Sequence, residues 1–124
     1  MPTQTTVLLI EDDKSLIEMY QLRFKEDNFN LLLAEDGATG LELARTRHPS
    51  IILLDIMLPK MDGFAVLTEL KKTDDTKSIP VLMMTNLGQQ ADIEKGHELG
   101  ADDYVVKSSL TPSQVSEKIK TFIK

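Results

Sequence analysis

Four widely separated positions, Asp12, Asp55, Thr85 and Lys107, carry side chains that suit one reaction. The first stands in an acidic run, Glu11-Asp12-Asp13. If these groups meet, three or more carboxylates share one place. Two unit charges about 4 Å apart repel by roughly 4 kcal/mol at an effective dielectric of 20, so something must offset them. A hard divalent cation does so, and Mg2+ suits one or two carboxylates together with phosphate oxygens. Lys107 adds a further point charge. A carboxylate beside Mg2+ and a lysine can act as a nucleophile toward a phosphoryl group, giving an aspartyl phosphate. Phosphoryl transfer asks mainly for positioning and charge neutralisation. The Thr85 hydroxyl can donate to a phosphoryl oxygen.

Such a site needs elements that bring its parts together. Short runs rich in leucine and β-branched residues are VLLI (7–10), NLLLA (30–34), IILLD (51–55), VLMMT (81–85) and YVVK (104–107). Their continuous apolar character predicts strands buried on both faces. Between them the spacing is helical: Leu16, Ile17, Tyr20 and Phe24 on one face, Leu41 and Ala44 more weakly, then Phe64, Leu67, Leu70 and Lys71. Ile93, Gly96 and His97 belong to a poorly amphipathic stretch, and Val115, Ile119, Phe122 and Ile123 to a last helix. Pro49, Pro80 and Pro112 stand at boundaries, with Thr111 as the N-cap before Pro112. The most loop-like stretch is KTDDTKSIP (72–80). Five strands alternating with five helices predict an α/β fold, a doubly wound parallel sheet with right-handed crossovers and helices on both faces.

Open parallel sheets bind ligands beyond the carboxyl ends of their strands. Glu11, Asp12 and Asp13 follow the first strand, Asp55 ends the third, Thr85 the fourth and Lys107 the fifth. Only the second, running into Ala34-Glu35-Asp36-Gly37, reads as plain turn chemistry. Each residue also has an ordinary reading. Asp12 or Asp13 can cap a helix, Asp55 can be a loop residue, Thr85 can cap, and Lys107 can be a solvated lysine. Coincidence at four strand ends argues for the chemistry.

Composition narrows the classes. The chain has 124 residues, 41% apolar and 27% charged, which fits one folded domain. A net charge of −6 disfavours direct contact with nucleic acid or an anionic membrane. With no cysteine, disulfides, thiolate nucleophiles and zinc–sulfur sites are excluded. The N-terminus lacks the basic region of a signal peptide, and no stretch approaches the ~20 apolar residues that span a bilayer. A cytoplasmic location is expected.

LLIEDD, LLDIMLPKMDG, the MMT ending at Thr85 and GADDYVVK, with the spacings between them, resemble a response-regulator receiver domain of two-component signalling, chemotaxis-regulator-like, over essentially the whole chain. DIMLPKMDG is the most specific stretch. The resemblance implies a flavodoxin-like (βα)5 fold with strand order 2-1-3-4-5, and residues 1–124 as a single receiver domain with no output domain. It implies Asp55 as phosphoacceptor, taking its phosphoryl group from a histidine kinase phosphohistidine. Mg2+ would be held by Asp12, Asp55 and the Met57 backbone carbonyl, and by Glu11 through water. Thr85 and Lys107 would contact the phosphoryl group, and Thr85 and Tyr104 would form the switch. Pro59, with its fixed φ, is expected to shape the following loop, and Gly63 to permit a backbone conformation that side chains resist.

Three positions depart from the common pattern. Asn86 follows the threonine where a small residue is usual, so it either narrows access to Asp55 or binds the phosphoryl group. Ser108 follows the lysine in place of a proline, so a cis bond there is not expected. Glu11 stands where many members have Asp. Met57 and Leu87, each two residues beyond a site residue, are expected to border the site. Neither can orient a water, which predicts slow self-dephosphorylation; beyond its own phosphorylation and dephosphorylation, no enzymatic activity is expected. The implied partners are a sensor histidine kinase or phosphotransfer protein and a downstream protein, or a second copy. They would bind through the face of the fourth helix, fifth strand and fifth helix, where Asp92, Glu94, Lys95, Glu98, Asp102, Lys118 and Lys120 fall.

Other classes fit the same residues less well. A degenerate receiver would serve only as an interaction module. A haloacid-dehalogenase-type phosphatase needs a second Asp two residues after its nucleophile, where Met57 stands. A flavodoxin-like electron carrier needs a hydroxyl- and glycine-rich phosphate loop, where EDDKS would repel the FMN phosphate. His48, before Pro49, suits a helix end, and His97 a helix surface.

Overall fold

The apolar runs form strands because both faces of each are covered. The computed structural model describes residues 4–86 and 89–123. In chain order the elements are β1 (Thr6–Ile10), α1 (Lys14–Glu26), β2 (Asn30–Ala34), α2 (Gly37–Arg47), β3 (Ile51–Asp55), α3 (Gly63–Lys72), β4 (Val81–Thr85), α4 (Gln90–Glu98), β5 (Asp103–Val106) and α5 (Pro112–Phe122). The strands make one parallel sheet in the order β2-β1-β3-β4-β5.

Alternation along each strand divides the core in two. Leu8, Ile10, Ile52, Leu54, Val81 and Met83 pack with Leu41 and Ala44 of α2 and with Val66, Leu67 and Leu70 of α3. Val7, Leu9, Ile51, Leu53, Leu82, Met84 and Val105 pack with Ile17, Tyr20 and Phe24 of α1 and with Val115 and Ile119 of α5. The helices begin where side chains satisfy their free N–H groups. Asp13, Asp36, Asp62 and Thr111 accept from the backbone of Leu16, Thr39, Ala65 and Gln114. Thr111 and Gln114 complete a capping box with Pro112 at the helix start, as expected. Helix α4 has no side-chain cap and buries only Gly96.

Two sequence expectations change. Gly63 does not have the positive φ that would exclude side chains; among the described residues Gly100 is the glycine that does, at 103°. Gly63 is required by proximity instead. A Cβ there would lie 2.2 Å from the Asp55 carbonyl oxygen. The left-handed residue of the β3–α3 loop is Lys60, with φ 68°. Lys120, placed by sequence on the α4–β5–α5 face, turns the other way. It pairs with Asp27 at the end of α1, 3.3 Å away.

Candidate functional site

Parallel pairing aligns the carboxyl ends of β1, β3, β4 and β5. The Glu11 backbone N–H extends the β1 ladder to the Ala34 carbonyl, and the Lys107 N–H extends that of β5 to the Thr85 carbonyl. Glu11, Asp12, Asp55 and Lys107 thereby line one open cleft, together with Met57, Asp62, Phe64 and Asn86.

The centre is an ion cluster. Lys107 Nζ lies 2.6 Å from Glu11 Oε1 and 3.1 Å from Asp55 Oδ1. Glu11 is fully buried and Asp55 only 5% exposed. The other Glu11 oxygen, Oε2, accepts the backbone N–H groups of Asp12 and Asp13, each at 3.0 Å. Apart from the lysine ammonium, Oε1 finds no donor among the described residues. Asp13 is the cap of α1, whereas Asp12 stays exposed at the cleft. Of the two capping candidates, only Asp13 therefore caps.

Burial, and then the neighbouring Glu11 charge, pushes the Asp55 carboxyl up to about 6 against the opposing pull of Lys107. Burial alone would lower the Lys107 pKa, but the Glu11 and Asp55 carboxylates outweigh it and hold the ammonium above its ordinary range. With its side chain 11% exposed and paired with two carboxylates, Lys107 is not a solvated surface lysine. Tyr20, which the sequence marked only as core, feels the same field. Burial first and Glu11 second push its phenol up to about 12.

Carboxylate oxygens of Glu11, Asp12 and Asp55 lie within 4.8 Å of one another. Three hard oxygen donors, one of them on a buried acid whose remaining oxygen has only an ammonium for partner, fit a divalent cation of the Mg2+ type.

Thr85 is buried at the end of β4, on the sheet face toward α4. It does not cap α4, whose N-cap is Gln89. Beside it a crevice of about 150 Å³ is lined by Met83, Ile93, Gly96, Ala101 and Tyr104. Tyr104 is 41% exposed. The two departures flagged in the sequence meet here: Ser108 Oγ donates to the Asn86 carbonyl at 3.3 Å, joining the loops after β4 and β5. The Lys107–Ser108 bond is trans, since no cis peptide occurs among the described residues. The exposed Asn86 lines the cleft. Met57 borders it with its side chain 72% exposed, and Leu87 lies outside the described residues. On the α4–β5–α5 face, Lys118 pairs with Asp103 at 2.6 Å. Asp102, though exposed, accepts from the Val81 N–H and faces Lys71.

Known proteins share the sequence pattern and the fold. A "Probable transcriptional regulator ycf27" of Guillardia theta is 36% identical over 124 residues, covering 100% of this chain and 47% of its own length. The chain thus spans about half the length of the curated relatives it matches. The receiver domain of the Francisella response regulator 1452 superposes with a TM-score of 0.88 at 26% identity, covering 97% of each chain. The receiver domain of the sensor histidine kinase PA1611 of Pseudomonas aeruginosa, solved with magnesium in its active-site cleft, has the same fold. Its TM-score is 0.88 at 21% identity, covering 98% of each chain. The response regulator receiver domain model matches residues 7–120, and the chain belongs to that family.

Proposed function

We propose that this chain is a phosphorylation-controlled switch whose Asp55 takes a phosphoryl group from the phosphohistidine of a sensor kinase or phosphotransfer protein. The observation that carries the reading is the lysine of the cluster, its side chain only 11% exposed. Lys107 is shared between Glu11 and Asp55 beside the exposed Asp12, at the floor of a cleft open to a donor. An Asp55 oxygen attacks phosphorus, the P–N bond breaks, and the imidazole leaves with the electron pair and takes up a proton. Asp12, Asp55 and the Met57 backbone carbonyl, with Glu11 through water, would hold Mg2+, which when bound supplies the charge that offsets the phosphoryl oxygens. Lys107 neutralises a phosphoryl oxygen as its hold on Asp55 is relieved. Thr85 donates a hydrogen bond to another, and the Asn86 amide has access to the same cleft.

Readout follows from Thr85 and Tyr104. A Thr85 drawn toward the phosphoryl group leaves room along the crevice, and Tyr104 turns in from its exposed position. The α4–β5–α5 face changes, and a partner or a second copy reads it. The relatives named as probable transcriptional regulators are about twice as long as this chain. The charge of −6 argues against this unit touching DNA itself.

Beryllofluoride with Mg2+, a mimic of the phosphoryl group, tests the reading. Amide resonances of Thr85, Tyr104 and Lys107 are expected to move together on titration. Tyr104 unmoved while Asp55 is occupied would contradict the switch.

A further inference from the structure

The β2–α2 junction reads in sequence as an ordinary turn, the one strand end without chemistry. The structure gives it a neighbour. Its glycine, Gly37, is buried, and a Cβ built on it would lie 1.9 Å from the Met61 carbonyl oxygen and 2.8 Å from the Met61 carbonyl carbon. These are backbone atoms of the β3–α3 loop, so no rotamer change relieves them. The Gly37 N–H also points at the Pro59 carbonyl, 3.4 Å away, which accepts from the Met61 N–H as well, at 2.7 Å. Asp36 adds an ion pair to Lys60 at 3.8 Å. The start of α2 therefore contacts residues 59, 60 and 61 in succession.

That loop carries Met57 to its place beside Asp55. Its two ends are pinned: the Gly63 N–H donates to the Ile56 carbonyl at 2.8 Å, and Gly63 sits against the Asp55 carbonyl. With the ends fixed, the position of the tip decides how Met57 and Leu58 are presented to the cleft. The tip is the part in contact with Gly37.

We propose that Gly37 is a positioning residue for the phosphorylation site, setting the loop that offers the Met57 carbonyl to Mg2+. The inference rests on the reading of Asp55, Asp12 and Met57 as the metal site. A methyl group at 37 forces either the first turn of α2 or the loop tip to retreat. The loop is the softer of the two, because its left-handed residue, Lys60, is already unfavourable for a side chain.

The test compares Gly37→Ala with Gly40→Ala by Mg2+ titration and by thermal unfolding without metal. Gly40 lies one turn further along α2, and its added Cβ meets side-chain atoms of Ile10, the nearest at 2.5 Å, and not the loop. Both variants are expected to lose thermal stability. Only Gly37→Ala is expected to weaken Mg2+ binding, by threefold or more, with a matching slowing of phosphorylation by acetyl phosphate. Equal Mg2+ affinity in wild type and Gly37→Ala, or equal weakening in both variants, would overturn the proposal. The wild type gives a second measurement that does not depend on a variant folding. The Gly37 amide resonance should shift on Mg2+ binding with the same midpoint as that of Met57, and a Gly37 amide blind to bound Mg2+ would count against the coupling. Wild-type protein that binds no Mg2+ would instead overturn the metal-site reading and this inference with it.

Discussion

Among the described residues, Lys107 is the only cation paired with both Glu11 and Asp55. One ammonium faces three clustered carboxylates, so the metal-free site keeps a net repulsion. Asp55→Asn removes one of the three charges without changing shape. It is expected to raise metal-free stability by on the order of 1 kcal/mol, the remainder of a repulsion of a few kcal/mol and the lost attraction to Lys107. Thermal unfolding without Mg2+ checks this, and a lower midpoint would contradict it. Met57 belongs to the same scale. Its exposed thioether at the cleft cannot hold a water for attack on the phosphoryl group, so the phosphorylated state should last for minutes or longer. Met57→Asn should shorten that lifetime several-fold. A lifetime of seconds in both proteins would sink the account. The residues of this site were legible because each follows an apolar run. Their partners were not. That Lys107 bonds Glu11 depends on the order of the strands, and that Gly63 packs against the Asp55 carbonyl depends on the path of the loop between them; hydropathy encodes neither.

At the scale of elements, apolar runs made strands β1 to β4 plain, because a parallel sheet covered on both faces needs continuous hydrophobicity. β5 starts one residue earlier than its apolar run, at Asp103. It is an edge strand, with less to bury. The weak pattern of α2 has a physical cause. Two of its four buried positions are Gly37 and Gly40, which pack closely while adding little hydrophobicity. The misplaced face of Lys120 has another: it follows from α1 packing beside α5. There Asp27, the C-cap of α1, takes the Arg23 guanidinium, Lys120 and the hydroxyl of buried Ser116. Burial alone would raise the Asp27 pKa, but these three donors together bring it below its ordinary value. A carboxylate with a lowered folded-state pKa contributes stability above its unfolded pKa and loses it as pH falls through the folded value. Wild type should therefore lose stability more steeply than Asp27→Asn as pH falls below about 4, the unfolded carboxylate range. Parallel acid profiles for the two proteins would remove Asp27 from the account of the α1–α5 contact.

For the whole molecule, the fold separates firmly anchored parts from a lightly anchored one. The deep strands and the capped helices α1, α2, α3 and α5 hold the acids and Lys107. Helix α4 is uncapped, buries only a glycine, and borders both the Thr85 crevice and Tyr104. The proposed phosphorylation site thus sits next to an uncapped, lightly buried helix, which suits a switch more than an enzyme turning over a substrate. The central claim is that Asp55 is where the charge arrives, and intact mass measures it directly. Incubation with acetyl phosphate and Mg2+ is expected to add one phosphoryl group, about 80 Da. The gain should vanish in Asp55→Asn and without Mg2+. A full gain in Asp55→Asn would place the chemistry on another residue, and no gain in wild type under conditions where Mg2+ binds would contradict the phosphoacceptor reading itself.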